Sequence, residues 1–336
     1  MVRLSPERVL DLRVRNLMTQ QELAAHMEVS LFTVQRIERG EGGVRPATAR
    51  SLARVLKVSP GDLLLVQERE EVQEGQGSFA PFRLLFVGDV VGPTGLAAFG
   101  ALVPSLRQEL GLDAIVVNGE NSTPSGFGIT SREGAELLST ADFLTLGDHA
   151  FRTEGVERWL DDEKRVVRPA NLGEGRSGRG WSTFDASGLR LGVASVMGSV
   201  FMNEEAASPT ETADQVVCEL ENSGADLMLV DIHAEATAEK QALGWHLAGR
   251  VTAVLGTHTH CPTFDLKVLP GGTAYVTDVG MTGGKDGVIG FARDSFSDPP
   301  PRPAEAPARL DGVLVDVSPE SGHAVAAARI FREWTP

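Results

Sequence analysis

Five apolar runs in this chain end the same way. "LLFVGD", "AIVVNGEN", "FLTLGDH", "LMLVDIH" and "TAVLGTHTH" each close on an acid or a histidine, four of the five with a glycine at the joint. Runs this short and this uniformly apolar predict strands buried on both faces. Amphipathic segments such as "TGLAAFGALVPSLRQEL", "SREGAELLSTA" and "TAEKQALGWHLA" fall between or after them and predict helices. The alternation specifies an α/β domain, and the tail "ARLDGVLVDVSPESGHAVAAARIFRE" predicts a terminal hairpin turning at "PESG".

In open α/β sheets ligands sit beyond the carboxyl ends of the strands. Those ends carry Asp89, Glu120 with Asn121, Asp148 with His149, Asp231 with His233, and His258 with His260. Three carboxylates (Asp89, Glu120, Asp148) and three imidazoles (His233, His258, His260) suit a pair of transition-metal ions. One carboxylate must bridge if both ions are to act on one substrate. If "THTH" is extended, side-chain alternation turns His258 and His260 to one side and Thr259 to the other. The flanking glycines are expected to let backbone and substrate approach closely. Asp231 either orients a ligand or caps its strand end, and Arg168 and Asn171 in "VRPAN" are weaker candidates for positioning substrate.

The motifs "FVGDVVG", "NGEN", "LGDH", "VRPAN", "DIHAEATAEKQALGW", "GTHTH", "LPGGTAYVTDVGMTG" and "DGVIG" resemble those of the YmdB-type metallophosphoesterases over residues 83 to 293. The resemblance implies a four-layer metallophosphoesterase α/β sandwich, two divalent or trivalent metal ions, and hydrolysis of cyclic nucleotides such as 2′,3′-cAMP or other phosphodiesters by metal-activated hydroxide. Iron and manganese are the expected ions, ahead of zinc and magnesium. Carried over by motif, Asp89, Glu120 and His260 hold one ion, and a bridging Glu120 joins Asp148, His233 and His258 on the second. Asn121 supports the phosphate or the attacking water, and His149 protonates the leaving oxygen. Where the family usually has G-N-H, this chain has Gly147-Asp148-His149. The extra negative charge should tighten cation binding and slow turnover. That departure keeps open an alternative, a metal- or nucleotide-sensing transcriptional regulator with reduced or no turnover.

Upstream of the acidic, glycine-bearing stretch "VQEREEVQEGQGSFAP" (66–81) the pattern is one of short helices. "SPERVLDLRVRN" starts on Ser-Pro, with Val9, Leu10, Leu12 and Val14 as its apolar positions. "TQQELAAHM" carries a capping box from Thr19 to Glu22, and "LFTVQRIERG" starts on Ser30. "RPATARSLARVLKV" makes a fourth helix and "SPGDLLL" opens a fifth. Residues 5–65 resemble the Cro/phage-repressor (XRE) helix-turn-helix family, through "TQQELA", "IERG" and "LARVLKVSPGDLL". That resemblance implies that the third helix reads the major groove through Leu31, Phe32 and Arg36, with Thr33 near the backbone and Gln20 on a phosphate. The expected domains are therefore a helix-turn-helix over 1–66, a linker over 67–81 and the phosphoesterase over 82–336.

Charge divides the chain along the same line. Residues 1–70 sum to +2 and the rest to −17, so only the first part suits a phosphate backbone, and a modest +2 calls for a homo-oligomer if DNA is to be held tightly. No apolar run approaches the roughly 18–20 residues of a membrane span. The start has no apolar centre of a secretory signal, and the only cysteines are Cys218 and Cys261. A reduced, cytoplasmic protein is expected.

Overall fold

The structure, a computed structural model, describes residues 4–16, 18–27, 29–40, 44, 46–56, 63, 80–173, 175–297 and 300–336. The chain divides into two units, Met1–Ser78 and Phe79–Pro336. Of the expected fifth helix only Leu63 is described, and nearly all of the expected linker lies outside the described residues.

The first unit holds α1 (Pro6–Arg15), α2 (Gln20–His26), α3 (Leu31–Glu38) and α4 (Pro46–Leu56). Their starts follow local chemistry. Ser5 caps α1 ahead of Pro6, Thr19 and Glu22 form the reciprocal capping box of α2, and the Ser30 hydroxyl accepts from Thr33 N at 3.2 Å. Val9, Leu12, Leu23, Val34, Ile37 and Leu52 are among the residues that fill the core. Leu10 and Val14, expected among the apolar positions of α1, are exposed, because a stripe of two residues three apart already meets the neighbouring helices.

The second unit runs β1 (Phe82–Val87), β2 (Asp89–Val90), α5 (Gly92–Leu110), β3 (Ala114–Asn118), α6 (Ser131–Leu138), β4 (Phe143–Thr145), α7 (Val156–Asp162) and β5 (Val166–Val167). It continues with β6 (Trp181–Ala186), β7 (Leu189–Met197), α8 (Pro209–Asn222), β8 (Leu227–His233), α9 (Thr237–His246) and β9 (Ala253–Thr257). The last strands are β10 (Lys267–Leu269), β11 (Thr273–Val276), β12 (Met281–Gly284), β13 (Ala308–Val317) and β14 (Ala324–Trp334). One sheet has the order β2-β12-β13-β1-β3-β4-β5 with β14 added on β13, and the other has the order β10-β11-β9-β8-β7-β6.

Strand periodicity sorts side chains into layers. Phe82, Leu84 and Phe86 of β1 join Leu227 and Leu229 of β8 and Ala253 and Leu255 of β9 in a core between the sheets. Leu85 and Val87 point the other way, toward Phe99, Leu137 and Leu160 of α5, α6 and α7. Val230, Ile232 and Val254 lie under Val217 and Leu243 of α8 and α9. Helix, sheet, sheet, helix: the unit is the four-layer α/β sandwich that the sequence led one to expect. The terminal hairpin is present as β13 and β14, whereas the β6–β7 hairpin and β10 to β12 escaped the sequence reading.

Candidate metal centre

The face between the sheets turns polar at its carboxyl end. Beyond Val116, Phe143, Val193, Leu229 and Leu255, the next inward positions are Asn118, Thr145, Ser195, Asp231 and Thr257, all fully buried. Asp231 gathers them. One of its oxygens accepts from Asn118 Nδ2 at 3.1 Å and Thr145 Oγ1 at 2.6 Å, and the other from Thr257 Oγ1 at 2.6 Å. Burial outweighs these bonds and pushes its carboxyl up to about 6.

Above this floor lie the expected donors. One ligand atom from each of Glu120, Asp148, His233 and His258 falls within 4.8 Å of the others. His233 Nε2 stands 3.1 Å from Glu120 Oε1, 2.9 Å from Asp148 Oδ1 and 3.0 Å from His258 Nδ1. Spacings near 3 Å are what adjacent ligands about 2.1 Å from a common ion adopt at right angles. Asp89 and His260 meet beside this group, with His260 Nε2 3.8 Å from Asp89 Oδ1. Asn121 joins the two halves, with Nδ2 3.3 Å from both Glu120 Oε1 and His260 Nε2, and Oδ1 2.7 Å from His149 Nδ1.

Each imidazole has one nitrogen tied outward and one facing in. His233 Nδ1 is 2.9 Å from Thr257 Oγ1, whose proton goes to Asp231; His260 Nδ1 donates to Ile289 O at 2.8 Å; His258 Nε2 is 3.3 Å from Glu235. One nitrogen of each ring is thereby aimed at the cluster, the arrangement metal-binding histidines use. Burial acts to lower the His233 pKa, and Glu120 and Asp148 prevail, raising it well above its ordinary value. The extended geometry expected for "THTH" is not what positions them. β9 stops at Thr257, and His258 and His260 have φ of +97° and +59°, left-handed conformations that cost about 1–3 kcal/mol each and persist only where the surroundings impose them. The flanking glycines make room for protein. A Cβ on Gly147 would lie 2.2 Å from the His233 ring, and one on Gly256 1.8 Å from Thr277 O.

Three carboxylates in so confined a space require compensation. Asp89 is buried, its Oδ1 has no hydrogen-bond partner, and desolvation and the neighbouring acids raise its pKa against the pull of His260 and His233. Burial acts to raise Glu120 and Asp148 too, but the facing histidines hold both below the ordinary carboxylate range. Burial acts to lower His149, and its bond to Glu120 and the charges of Glu120 and Asp148 prevail, leaving it raised. An orphaned buried carboxylate oxygen beside inward-facing imidazole nitrogens is a donor set that fits metal cations.

The centre opens into a cavity of about 310 Å³, lined by the polar Glu120, Asn121, His149, His258 and His260 and by the apolar Phe127, Ile289 and Phe291. Phe127 stacks on Phe291 with centroids 5.1 Å apart and meets His149 edge-on at 5.3 Å. Sequence reasoning missed this apolar wall, whose members are far apart in the chain. It missed Glu235 as well, although that residue sits two positions past His233. Arg168 and Asn171 are elsewhere. Arg168 donates to the carbonyls of Pro169 and Ala170, and Asn171 bonds the backbone of Met197 and Ala207, so both build a loop.

In the first unit Phe32 is 65% exposed on α3, while Leu31, Thr33 and Arg36 are half-buried. Gln20 donates its amide to Glu38 at 2.6 Å, with Arg13 on the same carboxylate. Among the described residues no helix is long and apolar enough to cross a membrane.

Two family models match, a YmdB-like protein model over residues 85–330 and a helix-turn-helix model over 9–63. The chain is 39% identical over 257 residues to a protein of Bacillus subtilis named 2′,3′-cyclic-nucleotide 2′-phosphodiesterase, covering 74% of this chain and 96% of that one. A structure from Thermus thermophilus of a hypothetical protein matches with TM-score 0.69 and 38% identity, over 75% of this chain and 99% of the other. A Mycoplasma pneumoniae structure described as a novel phosphatase matches with TM-score 0.70 and 28% identity, over 75% and 94%.

Proposed function

The chain belongs to the YmdB-like family, and from that premise we propose that residues 82–336 form a dinuclear metal-dependent phosphodiesterase acting on 2′,3′-cyclic nucleotides or related phosphodiesters, with residues 1–66 as a DNA-binding head. The observation that carries the first part is the donor set itself: three clustered carboxylates, one with an unpartnered oxygen, against three imidazoles that each turn one nitrogen inward. Asp89, Glu120 and His260 would hold one ion, and Glu120, Asp148, His233 and His258 the other. Mixed imidazole and carboxylate donors favour borderline metals such as iron, manganese or zinc over calcium or magnesium, and the family resemblance points to iron or manganese among them. When bound, such cations lower the pKa of water and offset the charge that builds on phosphoryl oxygens.

The remaining work belongs to the chain's own groups. Asn121 Oδ1 accepts from His149 Nδ1, which fixes the ring at the cavity wall with Nε2 as the pole that gives up a proton. His149 protonates the departing ribose oxygen, a general-acid role that the upward shift of its pKa by Glu120 and Asp148 supports. Phe127, Ile289 and Phe291 offer an apolar wall to the base. The name of the Bacillus subtilis relative supports the same substrate class.

On the first unit, exposed Phe32 and the nearby Arg36 contact bases, with Leu31 and Thr33 alongside. Gln20 reaches a phosphate once it exchanges its bond to Glu38. The helix-turn-helix match supports this, and a net charge of only +2 over residues 1–70 calls for two copies on one site. The test is to load the full chain with manganese or iron, confirm metal content by elemental analysis, and assay 2′,3′-cAMP and bis-p-nitrophenyl phosphate. No turnover at full occupancy defeats the enzyme reading. Asp148, a carboxylate with Oδ2 3.7 Å from His149 Nε2, favours the second reading, a metal- or nucleotide-sensing regulator with damped turnover.

A further inference from the structure

The ligand-bearing turn is gripped from both sides by threonines on buried aspartates. Thr257 is tied to Asp231 as described. Thr259 gives both its backbone N–H, at 3.1 Å, and its hydroxyl, at 2.8 Å, to Asp278 Oδ2. The same oxygen accepts from Lys240 Nζ of α9 at 2.8 Å, and Asp278 Oδ1 accepts from Gly280 N at 2.9 Å. Lys240 and Asp278 are both fully buried.

A buried ion pair is a weak source of stability, because desolvating both charges consumes most of the Coulombic gain. Conformational specificity is the better-motivated use, and here the pair's hydrogen bonds end on the residue between two backbone positions of left-handed φ, His258 and His260. The lysine also neutralises Asp278, so that holding the turn adds no net negative charge next to Asp89, Glu120 and Asp148.

We propose that the Lys240–Asp278 pair, acting through Thr259, is a positioning device for the metal centre: it imposes the left-handed turn that aims the inward nitrogens of His258 and His260 at the donor cluster. Neither residue touches substrate or the reacting atoms. The inference rests on the reading of the cluster as a cation site.

The experiment uses the full chain in four forms: wild type, Thr259→Val, Thr259→Ser and the double variant Lys240→Met/Asp278→Asn. Thr259→Val keeps the β-branch and the backbone N–H and removes only the hydroxyl, so it serves where the double variant does not fold. Manganese binding is titrated by electron paramagnetic resonance, and melting is followed in EDTA. Thr259→Val and the double variant are expected to bind manganese about 10–100-fold more weakly, the usual effect of losing a group that orients a ligand. Thr259→Ser is expected to retain wild-type affinity, and metal-free Thr259→Val to melt within about 4 °C of wild type. Wild-type affinity and stoichiometry in Thr259→Val overturn the proposal. So does a metal-free melting loss that accounts for the weaker binding, which marks the pair as a staple of the fold. A wild type that binds no manganese removes the cation-site reading itself, an outcome distinct from the other two.

Discussion

Replacing Asp231 by asparagine should weaken metal binding while strengthening the metal-free fold. The oxygen of Asp231 that faces Asn118 Nδ2 and Thr145 Oγ1 must remain an acceptor, since the Asn118 amide can only donate there. The new amide nitrogen is therefore forced toward Thr257. Thr257 Oγ1, which now gives its proton to Asp231, would accept from the amide and turn its own proton toward His233 Nδ1. His233 would move its proton to Nε2, the nitrogen facing Glu120 and Asp148, and lose the lone pair needed for an ion. Loss of an orienting partner of this kind costs about 10–100-fold in metal affinity.

Stability moves the other way. The Asp231 carboxyl rises from 3.8 unfolded to about 6 folded, so the folded state binds the proton more tightly and wild type loses stability as pH climbs through that window. The gap of about two units corresponds to about 3 kcal/mol, fully expressed above pH 6. The asparagine variant carries no such charge. Denaturant melts in EDTA should diverge from wild type between pH 4 and 7, with the variant gaining by up to that amount. Manganese titration and side-chain nitrogen spectra of His233 report the other half. Unchanged metal affinity, or a variant less stable than wild type at pH 8, would refute the reasoning.

Gly147→Ala puts a methyl 2.2 Å from a His233 ring with no exposed surface to yield into, and should cost about 1–3 kcal/mol in a thermal melt as well as metal affinity. Asp148→Asn removes one charge from the cluster; manganese should bind about tenfold more weakly and turnover at saturating metal should rise. An unchanged or lower rate on bis-p-nitrophenyl phosphate would show that the carboxylate belongs to catalysis here. Ser30→Ala deletes the cap of α3 and should lower the stability of the first unit by about 1 kcal/mol, read as a shift of its calorimetric transition in the full chain, with Ser30→Asp restoring it.

The layers and the rim were legible because apolar runs that stop on an acid or a histidine leave few alternatives. Leu229 followed by Asp231 and His233, or Leu255 followed by Thr257, already implies a buried strand with a polar end facing one direction. The backbone of "THTH" was not legible. Alternating residues read as extended, and the left-handed turn depends on Asp278, nineteen positions past Thr259, and on Lys240 from a helix. Phe127 and Phe291 face each other across 164 residues, and nothing local marks either as a cavity wall. The strands β10 and β12 consist of "KVL" and "MTGG", too short and too glycine-rich to announce themselves.

β13 lies between β12 and β1, paired antiparallel with both. During synthesis β1 leaves the ribosome among the first segments of its unit and β13 nearly the last, so one edge of β1 stays open until more than two hundred further residues have been added. Such long-range pairing is slow and leaves an unsatisfied edge exposed to other nascent chains. The half-made protein should depend on chaperones, and truncations that stop short of residue 308 should be recovered as aggregates.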